Sequence, residues 1–270
     1  MTQGELPAGL AIVTGAAGGM GSATAWQLAQ GGWRQLLLCD LDAARLEAVA
    51  APLGQFGATV EILAGDVADP AFPGRLLAVL GERAVAALVH TAGISPVMGS
   101  PERILAVNLD ATVRLVDAVR ERMAPGSAAV LFASNSSYFP MPPEAAAAFT
   151  RPLPPEGTAA LAAFAPVPEA AYPLSKLGVR ALVKREARAF GARGARLVSL
   201  SPGAIDTPMS QGEVFKSDVA RRMIEEAAIP RMGRPEELAA VAVFLCSPAA
   251  SFVTGCDVLV DGGQMAALGF

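Results

Sequence analysis

A glycine-rich turn near the beginning of the chain has the residue types and spacing of an anion-binding site. Residues 14–21 read TGAAGGMG, with Gly15, Gly19 and Gly21 in a TGxxxGxG pattern that differs from the common GxGxxG. Glycines allow a tight turn and a close approach of the backbone to a ligand. Free N–H groups at the start of the following helix, together with the helix dipole, would then face a pyrophosphate. The turn therefore predicts a dinucleotide site, provided that a strand precedes it and a helix follows.

An aspartate lies where a dinucleotide site needs a carboxylate. Asp40 follows the second apolar segment, roughly 20 residues after Gly21, and can accept hydrogen bonds from both hydroxyls of the adenosine ribose. Its charge would repel a 2′-phosphate, and no Lys or Arg occurs in the glycine turn or directly after Asp40. The sequence therefore favours NAD over NADP. A second interpretation of Asp40, as a helix cap, stays open, and Asp42 could cap the same helix.

Strand-like and helix-like segments alternate along the whole chain. Continuous apolar segments predict buried strands at residues 10–14, 35–39, 59–64, 84–90, 128–133, 195–201 and 257–260. Helical patterns lie between them at residues 22–30, 43–53, 103–123, 172–190 and 236–245. This alternation predicts an α/β fold, a Rossmann-type doubly wound parallel sheet. No internal repeat or linker interrupts it, so residues 1–270 are expected to form a single domain.

Composition excludes several classes of protein. Hydrophobic residues make up 53% of the chain and charged residues 17%, which excludes a disordered or fibrous protein. The net charge of −4 and the absence of a basic run argue against nucleic acid and anionic membrane as partners. The uncharged stretches at residues 6–33 and 238–255 are interrupted by glycine, or by serine and proline, so no membrane span is expected.

The cysteine and histidine content also limits the possible chemistry. Cys39, Cys246 and Cys256 form no CxxC pair, so neither a disulfide framework nor a metal site is expected, and a reducing cytoplasm fits. His90 is the only histidine, which leaves a Ser-His-Asp hydrolase a single candidate base. We interpret His90 as a structural residue at the end of a strand rather than as a catalytic base.

Further motifs resemble, in their order and spacing, those of the classical short-chain dehydrogenase/reductase family, over nearly the whole chain. Besides the glycine turn they are Asp66-Val67 after the third strand, His90-Thr91-Ala92-Gly93, Asn108 in Val107-Asn108-Leu109, Ser134 after the fifth strand, Tyr172-Pro173-Leu174-Ser175-Lys176, Pro202-Gly203-Ala204-Ile205-Asp206-Thr207 and Asp261-Gly262-Gly263. His90 departs from the asparagine that the family usually carries there.

The resemblance implies a role for each matching residue. The implied catalytic residues are Asn108, Ser134, Tyr172 and Lys176. The residues implied to bind the cofactor are Gly15, Gly19, Met20, Gly21, Asp40, Asp66, Val67, Ala92, Gly93, Tyr172, Lys176, Pro202, Gly203, Ile205 and Thr207. No residue is implied to bind a metal.

Physical chemistry supports the role implied for the tyrosine. Tyr172 and Lys176 are four residues apart on a predicted helix and therefore share one face. A tyrosine ordinarily titrates near about 10, but a nearby ammonium and an oxidised nicotinamide would stabilise the phenolate. We therefore expect Tyr172 to be the general acid/base. Lys176 would also bind the nicotinamide ribose, Ser134 would orient the substrate oxygen, and Asn108 would hold a water that links Lys176 to solvent.

A segment rich in proline and alanine, residues 138–171, separates the serine from the tyrosine and makes the distance between them longer than is usual in the family. Ser136 is the alternative to Ser134, which is preferred because it directly follows a strand. Helical turns are expected at residues 144–149 and 158–164, and Pro173 is expected in the first turn of the next helix. The segment is either a lid or a surface insertion that folds on itself. The side chains that it could present to a ligand are Phe139, Met141, Phe149, Leu153, Leu161 and Phe164.

Within the family, the long insertion makes the chain similar to bacterial hydroxysteroid dehydrogenase/carbonyl reductases. The resemblance implies an NAD-dependent oxidoreductase that interconverts a secondary alcohol and its ketone, on a bulky apolar or cyclic substrate that is steroid-like, terpenoid or aromatic. Two alternatives stay open: a 3-oxoacyl-type or other metabolic carbonyl reductase on the same fold, and a dinucleotide-binding regulator without chemistry. The resemblance also implies a homodimer or homotetramer that forms through the helices at residues 103–123 and 172–190.

Overall fold

A parallel sheet forms the centre of the molecule. The structure, a computed structural model, describes residues 5–150, 157–208, 210 and 218–270. Within these residues seven strands form one sheet in the order β3-β2-β1-β4-β5-β6-β7, with every pairing parallel. They are β1 (Leu10–Thr14), β2 (Gln35–Asp40), β3 (Thr59–Ala64), β4 (Val85–His90), β5 (Met123–Phe132), β6 (Arg196–Pro202) and β7 (Asp257–Val260). The predicted α/β fold with a doubly wound sheet is confirmed.

Helices cover both faces of the sheet. They are α1 (Gly19–Gln30), α2 (Ala43–Ala50), α3 (Phe72–Leu80), α4 (Pro101–Leu105), α5 (Ala111–Arg120), α6 (Pro143–Ala147), α7 (Pro168–Gly191), α8 (Asp218–Glu225), α9 (Pro235–Cys246) and α10 (Gln264–Ala267). A π-helical turn, Ala106–Asp110, joins α4 to α5. No helix in the described part of the chain is both long enough and apolar enough to span a membrane.

The sheet divides the hydrophobic core into two clusters. Leu37 of β2 points into the cluster formed with α3, α4, α5 and α7, whereas Leu36 and Leu38 point into the cluster formed with α1, α2 and α9. All three side chains are fully buried. Because both faces of the strand are covered, the strand sequences are continuously apolar rather than alternating.

Several helix boundaries differ from the predicted ones, α3 was not predicted, and two of the differences have a clear structural cause. The helix expected to reach residue 123 ends at Arg120, because Met123 instead begins β5, where it pairs with Val85 and is buried. The helix expected to begin at residue 172 begins at Pro168, a residue type favoured in the first turn. Pro173 therefore lies inside α7 rather than in its first turn, and it lacks the N–H that would bond to the Glu169 carbonyl.

The insertion contains the two expected helical turns. One is α6 with the 3-10 turn Ala148–Thr150, and the other is the 3-10 turn Gly157–Phe164. Phe149 and Leu161 are buried in the core cluster that includes α4 and α7, so the expectation that they face a ligand was wrong. They are apolar side chains next to an apolar helix face, and burial there removes both surfaces from water. Leu153 lies outside the described residues.

A polar contact also joins the insertion to the rest of the fold. The Thr158 backbone N–H and the Thr158 hydroxyl both donate to the Asp110 carboxylate, each at 2.9 Å. Asp110 lies in the π-helical turn that follows α4. The second half of the insertion is therefore held to the helical layer by polar as well as apolar contacts.

Candidate active site

A cavity of about 570 Å³ opens where several parallel strands end. The loops after β4, β5 and β6 supply much of its wall, as expected for a ligand site at the carboxyl edge of such a sheet. The sequence-predicted site residues that line it are Met20, Gly93, Ser134, Tyr172, Lys176, Pro202, Gly203, Ile205 and Thr207. The predicted residues Gly15, Gly19, Gly21, Asp40, Asp66, Val67, Ala92 and Asn108 lie outside this lining.

Tyr172 and Lys176 lie side by side on α7. The Lys176 Nζ is 5.8 Å from the centre of the Tyr172 ring and donates a hydrogen bond of 2.9 Å to the Phe132 carbonyl at the end of β5. Burial lowers the pKa of Lys176 to about 8. A buried ammonium therefore lies next to a phenol at the wall of the cavity, the arrangement expected from the four-residue spacing.

Two serines face the cavity from the turn after β5. Ser134 has an extended backbone, and its Oγ accepts hydrogen bonds from the Ser136 N–H at 3.1 Å and from the Ser136 hydroxyl at 3.0 Å. The proton of Ser134 has only a long contact of 3.5 Å, with the Asn135 side-chain oxygen. Ser134 therefore has a proton that can be directed to a substrate oxygen, whereas Ser136 uses its proton on Ser134.

Asn108 connects the loop after β4 to α7. Its side chain accepts from the Ile94 N–H at 2.8 Å, donates to the Ile94 carbonyl at 2.9 Å and donates to the Ser175 hydroxyl at 3.3 Å. The backbone of Gly93 passes close by, since an added Cβ there would lie 3.1 Å from Asn108 Oδ1 and 3.4 Å from Lys176 Nζ. Asn108 lies in the π-helical turn, a feature that is frequent at functional sites. A water between Asn108 and Lys176 stays a prediction.

His90 is buried beneath the site and connects β4 to α5. Its Nε2 is 2.8 Å from the Thr112 hydroxyl, which itself donates to the Asn108 carbonyl at 2.8 Å. Because that hydroxyl has only one proton, His90 Nε2 must carry a proton, and Nδ1 accepts from the Thr14 hydroxyl at 2.6 Å. Burial and the charge of Lys176 lower the pKa of His90 to about 3. His90 is thus a neutral residue that does not line the cavity.

The glycine turn forms a cradle that larger residues would fill. Gly15 has a φ of +72°, and a Cβ added at Gly21 would lie 2.1 Å from the Gly15 carbonyl oxygen. A Cβ added at Gly19 would lie 2.9 Å from the Thr207 methyl group. The turn therefore packs tightly against itself and against the loop after β6, and α1 begins directly within it.

Asp40 contacts the glycine turn rather than capping a helix. Its Oδ2 accepts from the Ala17 N–H at 2.9 Å, and its Oδ1 accepts from the Leu41 N–H at 2.7 Å. Asp42 is the residue that caps α2, accepting from the Arg45 N–H at 3.1 Å. Asp40 therefore does not cap α2, and its carboxylate lies at the glycine turn.

A basic side chain does lie against the glycine turn, although no Lys or Arg occurs in the turn itself or directly after Asp40. Arg45 Nη2 donates to the Ala17 carbonyl at 2.6 Å. Arg45 is five residues beyond Asp40, in the first turn of α2, and this helix turns the side chain back toward the glycine turn. The sequence feature that could have indicated this contact is a basic residue in the helix that follows Asp40, rather than one in the turn itself.

Asp66 and Val67 follow β3, near the same edge of the sheet. Asp66 accepts from the Ala68 N–H at 2.8 Å and pairs with Arg103 of α4 at 2.6 Å. Burial raises the pKa of Asp66, but the hydrogen bonds from Arg103 and Ala68 outweigh this effect and lower it. Val67 is buried, and Ala92 lies against the glycine turn, since a Cβ added at Gly15 would be 2.7 Å from the Ala92 nitrogen.

Two residues that sequence reasoning missed also line the cavity. Gln264 is buried, and its side-chain oxygen accepts from the Ala204 N–H at 3.0 Å and from the Asn135 amide at 3.1 Å, which ties two cavity loops together. Glu169 places an exposed carboxylate at the same cavity. The only signal for Gln264 was its position directly after Asp261-Gly262-Gly263, and none pointed to Glu169.

These residues fit a nicotinamide dinucleotide. The cradle of glycines leaves space for a ligand to approach the backbone, and a carboxylate lies beside it where a ribose would bind. The apolar walls and the phenol–ammonium pair lie in the adjoining cavity. Within the described residues, no three His, Cys, Asp or Glu side chains cluster as metal ligands.

Comparison with known proteins identifies the family. A family model described as short chain dehydrogenase matches residues 9–147, and one described as enoyl-(acyl carrier protein) reductase matches residues 158–265. The chain belongs to the short-chain dehydrogenase/reductase family. It is therefore related to oxidoreductases whose Rossmann-type fold binds a nicotinamide dinucleotide.

Individual relatives cover nearly the whole chain. A D-threitol dehydrogenase from Mycolicibacterium smegmatis is 33% identical over 267 residues, which cover 94% of this chain and 92% of that protein. A cis-4-hydroxycyclohexanecarboxylate dehydrogenase from Sinomonas cyclohexanicum is 31% identical over 272 residues, 95% of this chain and 96% of that protein. The crystal structure of a levodione reductase is 28% identical, with a TM-score of 0.76 over 96% of this chain and 98% of that one.

Proposed function

We propose that this chain is an NAD-dependent dehydrogenase that interconverts a secondary alcohol and its ketone. The observation that carries the proposal is the pair formed by Tyr172 and the buried Lys176, 5.8 Å from ring centre to Nζ, at the wall of the cavity that Ser134 also lines. A protein that only binds a dinucleotide has no need of a phenol next to a buried ammonium. This pair therefore favours an enzyme over the alternative of a regulator.

In the proposed mechanism the side chains hold the substrate oxygen and move its proton. Tyr172 takes the hydroxyl proton when the alcohol is oxidised and returns it when the ketone is reduced. The Lys176 ammonium stabilises the phenolate through its charge, and the Phe132 carbonyl holds that ammonium in place. Ser134 donates a hydrogen bond to the substrate oxygen and orients it. When bound, the nicotinamide supplies the hydride chemistry.

The preference for NAD rests on Asp40. Its carboxylate lies at the glycine turn, bonded to the Ala17 N–H, where it can accept hydrogen bonds from ribose hydroxyls and repel a 2′-phosphate. The family and the fold imply a nicotinamide dinucleotide without distinguishing between the two forms. NAD is the form that the charge of Asp40 favours.

We propose an uncharged, bulky or cyclic alcohol as the substrate. The cavity wall contains apolar side chains from several elements, including Ile94, Val97, Phe139 and Met223. Apolar walls with few polar groups favour an apolar ligand oriented by those groups. Glu169 adds a negative charge to the wall and disfavours anionic substrates. The relative named for cis-4-hydroxycyclohexanecarboxylate supports a cyclic alcohol but not an uncharged one, since that compound carries a carboxylate.

Substitution of the phenol tests the proposed mechanism. We expect Tyr172→Phe to lower kcat at least a hundredfold with NAD and a panel of cyclic secondary alcohols, because general acid/base catalysis contributes roughly 10²–10⁴-fold. Binding of NAD, measured by calorimetry, should change less than threefold. Tyr138→Phe is the matched control, since Tyr138 is the only other tyrosine and donates to Asp257 instead. Turnover that survives in Tyr172→Phe would refute the mechanism.

A second candidate function is a reductase of 3-oxoacyl thioesters. The family model that matches residues 158–265 is described as enoyl-(acyl carrier protein) reductase, which favours an acyl thioester as substrate, although an enoyl group is reduced at C=C rather than at a ketone. Assays with a 3-oxoacyl thioester beside cyclic ketones decide between the two. Higher kcat/KM on the thioester would favour the acyl reductase, and dinucleotide binding without turnover on any substrate would favour the regulator.

Two further properties belong to the same proposal. The assembly is a homodimer or homotetramer that uses α5 and α7, although the insertion already covers part of α7 with Phe149, which would lie 3.0 Å from a Cβ added at Gly178. Light scattering on the purified chain measures the assembly directly. The proposed location is the cytoplasm, in agreement with three unpaired cysteines.

A further inference from the structure

One residue of the glycine turn, Ala17, has its backbone bonded to two opposite charges. The Ala17 N–H donates to the Asp40 carboxylate at 2.9 Å, and the Ala17 carbonyl accepts from the Arg45 guanidinium at 2.6 Å. A carboxylate and a guanidinium are therefore bonded to the two successive peptide groups that flank the Ala17 Cα. Under the proposed function, this is the place where the adenosine ribose binds.

The charge of Arg45 is not neutralised by a carboxylate. Its hydrogen bond goes to a neutral carbonyl, and no ion pair within 4.0 Å includes Arg45 in the part of the chain that the structure describes. The side chain is exposed, and a guanidinium has five N–H donors, of which the contact with Ala17 uses one. Arg45 can therefore bond to an anion without leaving the glycine turn.

The carboxylate of Asp40, in contrast, is hydrogen-bonded to the backbone through both of its oxygens. Its two oxygens accept from the N–H groups of Ala17 and Leu41, so the carboxylate is held in one orientation. A phosphate on the ribose 2′-oxygen would meet this fixed negative charge. The same phosphate would also meet Arg45, since both side chains bond to the backbone of Ala17. The two residues act on a 2′-phosphate with opposite signs.

We propose that Arg45 is a cofactor-selectivity residue and forms a latent 2′-phosphate site, so that the carboxylate of Asp40 alone excludes NADP. A guanidinium is suited to a phosphate because its planar N–H groups can bond to two phosphate oxygens at once. A chain without this arginine would need two changes to accept NADP, a lost carboxylate and a gained cation. This chain needs only the first. The inference rests on the proposed function, because it assumes that a dinucleotide binds at the glycine turn.

The test compares dinucleotide binding in four variants by calorimetry, without substrate. They are Asp40→Asn, Arg45→Ala, the double variant Asp40→Asn/Arg45→Ala, and the control Asp40→Asn/Arg34→Ala. The amide of Asn keeps an oxygen that can accept from the Ala17 N–H while removing the charge. Arg34 is another exposed arginine, just before β2, whose guanidinium bonds to the Phe56 carbonyl, so its loss changes the net charge without touching the glycine turn.

We expect the wild type to bind NAD more tightly than NADP. Asp40→Asn should tighten NADP binding at least tenfold, and adding Arg45→Ala should reverse this gain at least tenfold, whereas adding Arg34→Ala should leave it within threefold. Arg45→Ala alone should change NAD binding less than threefold. Adenosine 2′,5′-bisphosphate, compared with 5′-AMP, should show the same pattern, because it carries the 2′-phosphate without the nicotinamide.

Two results would overturn the inference while the proposed function stands. One is NADP binding by the double variant that equals that of Asp40→Asn. The other is a failure of Asp40→Asn, and of the second neutral variant Asp40→Ser, to gain NADP affinity while both still bind NAD. A wild type that binds neither dinucleotide would overturn the proposed function and this inference with it.

Discussion

At the scale of single residues, the clearest feature is Lys176, whose buried charge lowers the free energy of unfolding. Lys176 is 5% exposed, and burial lowers its pKa from the usual 10.5 to about 8. Below pH 8 both the folded and the unfolded chain carry the proton, so the folded state bears the full cost of burying a charge. Between pH 8 and about 10.5 the unfolded chain binds more protons, so this cost disappears as pH rises. Lys176 thus destabilises the fold at neutral pH, as residues that serve a function can do.

Replacement of this lysine should stabilise the fold and abolish its activity. We expect Lys176→Met to raise the free energy of unfolding by about 1 to 3 kcal/mol at pH 7, with the advantage over wild type shrinking between pH 8 and 10. Urea denaturation across this pH range measures the effect. Lys184→Met, an exposed position on the same helix, is the control and should change stability little at any pH. A variant less stable than wild type at pH 7 would mean that the bond to the Phe132 carbonyl outweighs the burial cost.

At the scale of elements, the site depends on how closely α1 packs against the turn before it. The Gly21 Cα faces the Gly15 carbonyl, and a Cβ added there would lie 2.1 Å from that oxygen, far inside van der Waals contact. The obstacle is backbone rather than a flexible side chain, so relief requires α1 to move. A movement of α1 would carry away the N–H groups that begin the helix. The glycine spacing is therefore a packing requirement that fixes where α1 begins, at the proposed binding site.

An alanine at Gly21 tests whether the position of α1 controls NAD binding. We expect Gly21→Ala to weaken NAD binding more than tenfold and to lower the melting temperature, because the cradle opens. Calorimetry and thermal unfolding measure the two effects. Gly54→Ala is the matched control, since a Cβ added at Gly54 meets nothing within 4 Å and its φ is not positive. If the two variants bound NAD equally well, the glycine turn would not be the binding site.

At the scale of the whole molecule, half of the long insertion is part of the core. Phe149 and Leu161 are 8% and 3% exposed and pack in the cluster that contains α4 and α7, and Thr158 is bonded to Asp110. Among the described members of the expected ligand-facing set, Phe139 lines the cavity. The segment therefore has two parts with different roles. Its first residues contact the cavity, and its helical turns stabilise the helical layer.

Truncation of a buried ring in the insertion should destabilise the entire domain. We expect Phe149→Ala to cost about 3 to 5 kcal/mol in the free energy of unfolding, because it removes a large side chain and leaves a cavity. Urea denaturation should still show one cooperative transition. Phe164→Ala, at a position 37% exposed in the same insertion, should cost far less. A change in substrate KM without a loss of stability would instead favour a lid.

Several features of the site could be predicted because they are encoded over short distances along the chain. The four-residue spacing of Tyr172 and Lys176 places them on one helix face, and the order strand, glycine turn, helix places the cradle before α1. The features that could not be predicted depend on contacts between distant segments. Gln264 joins two loops that are far apart in sequence, and the cavity includes Glu169 only because α7 begins at Pro168.

The amino-acid sequence alone determined the fold class and the set of candidate site residues. Continuous apolar strands, helical spacing and glycine positions are local patterns, and the backbone responds to them locally. The tertiary structure alone decided which charges meet at the glycine turn. Arg45 reaches the Ala17 carbonyl because β2, α2 and the glycine turn come together at one edge of the sheet. The distance between Arg45 and the Ala17 carbonyl depends on how these elements pack, and it cannot be read from the spacing of the two residues along the chain.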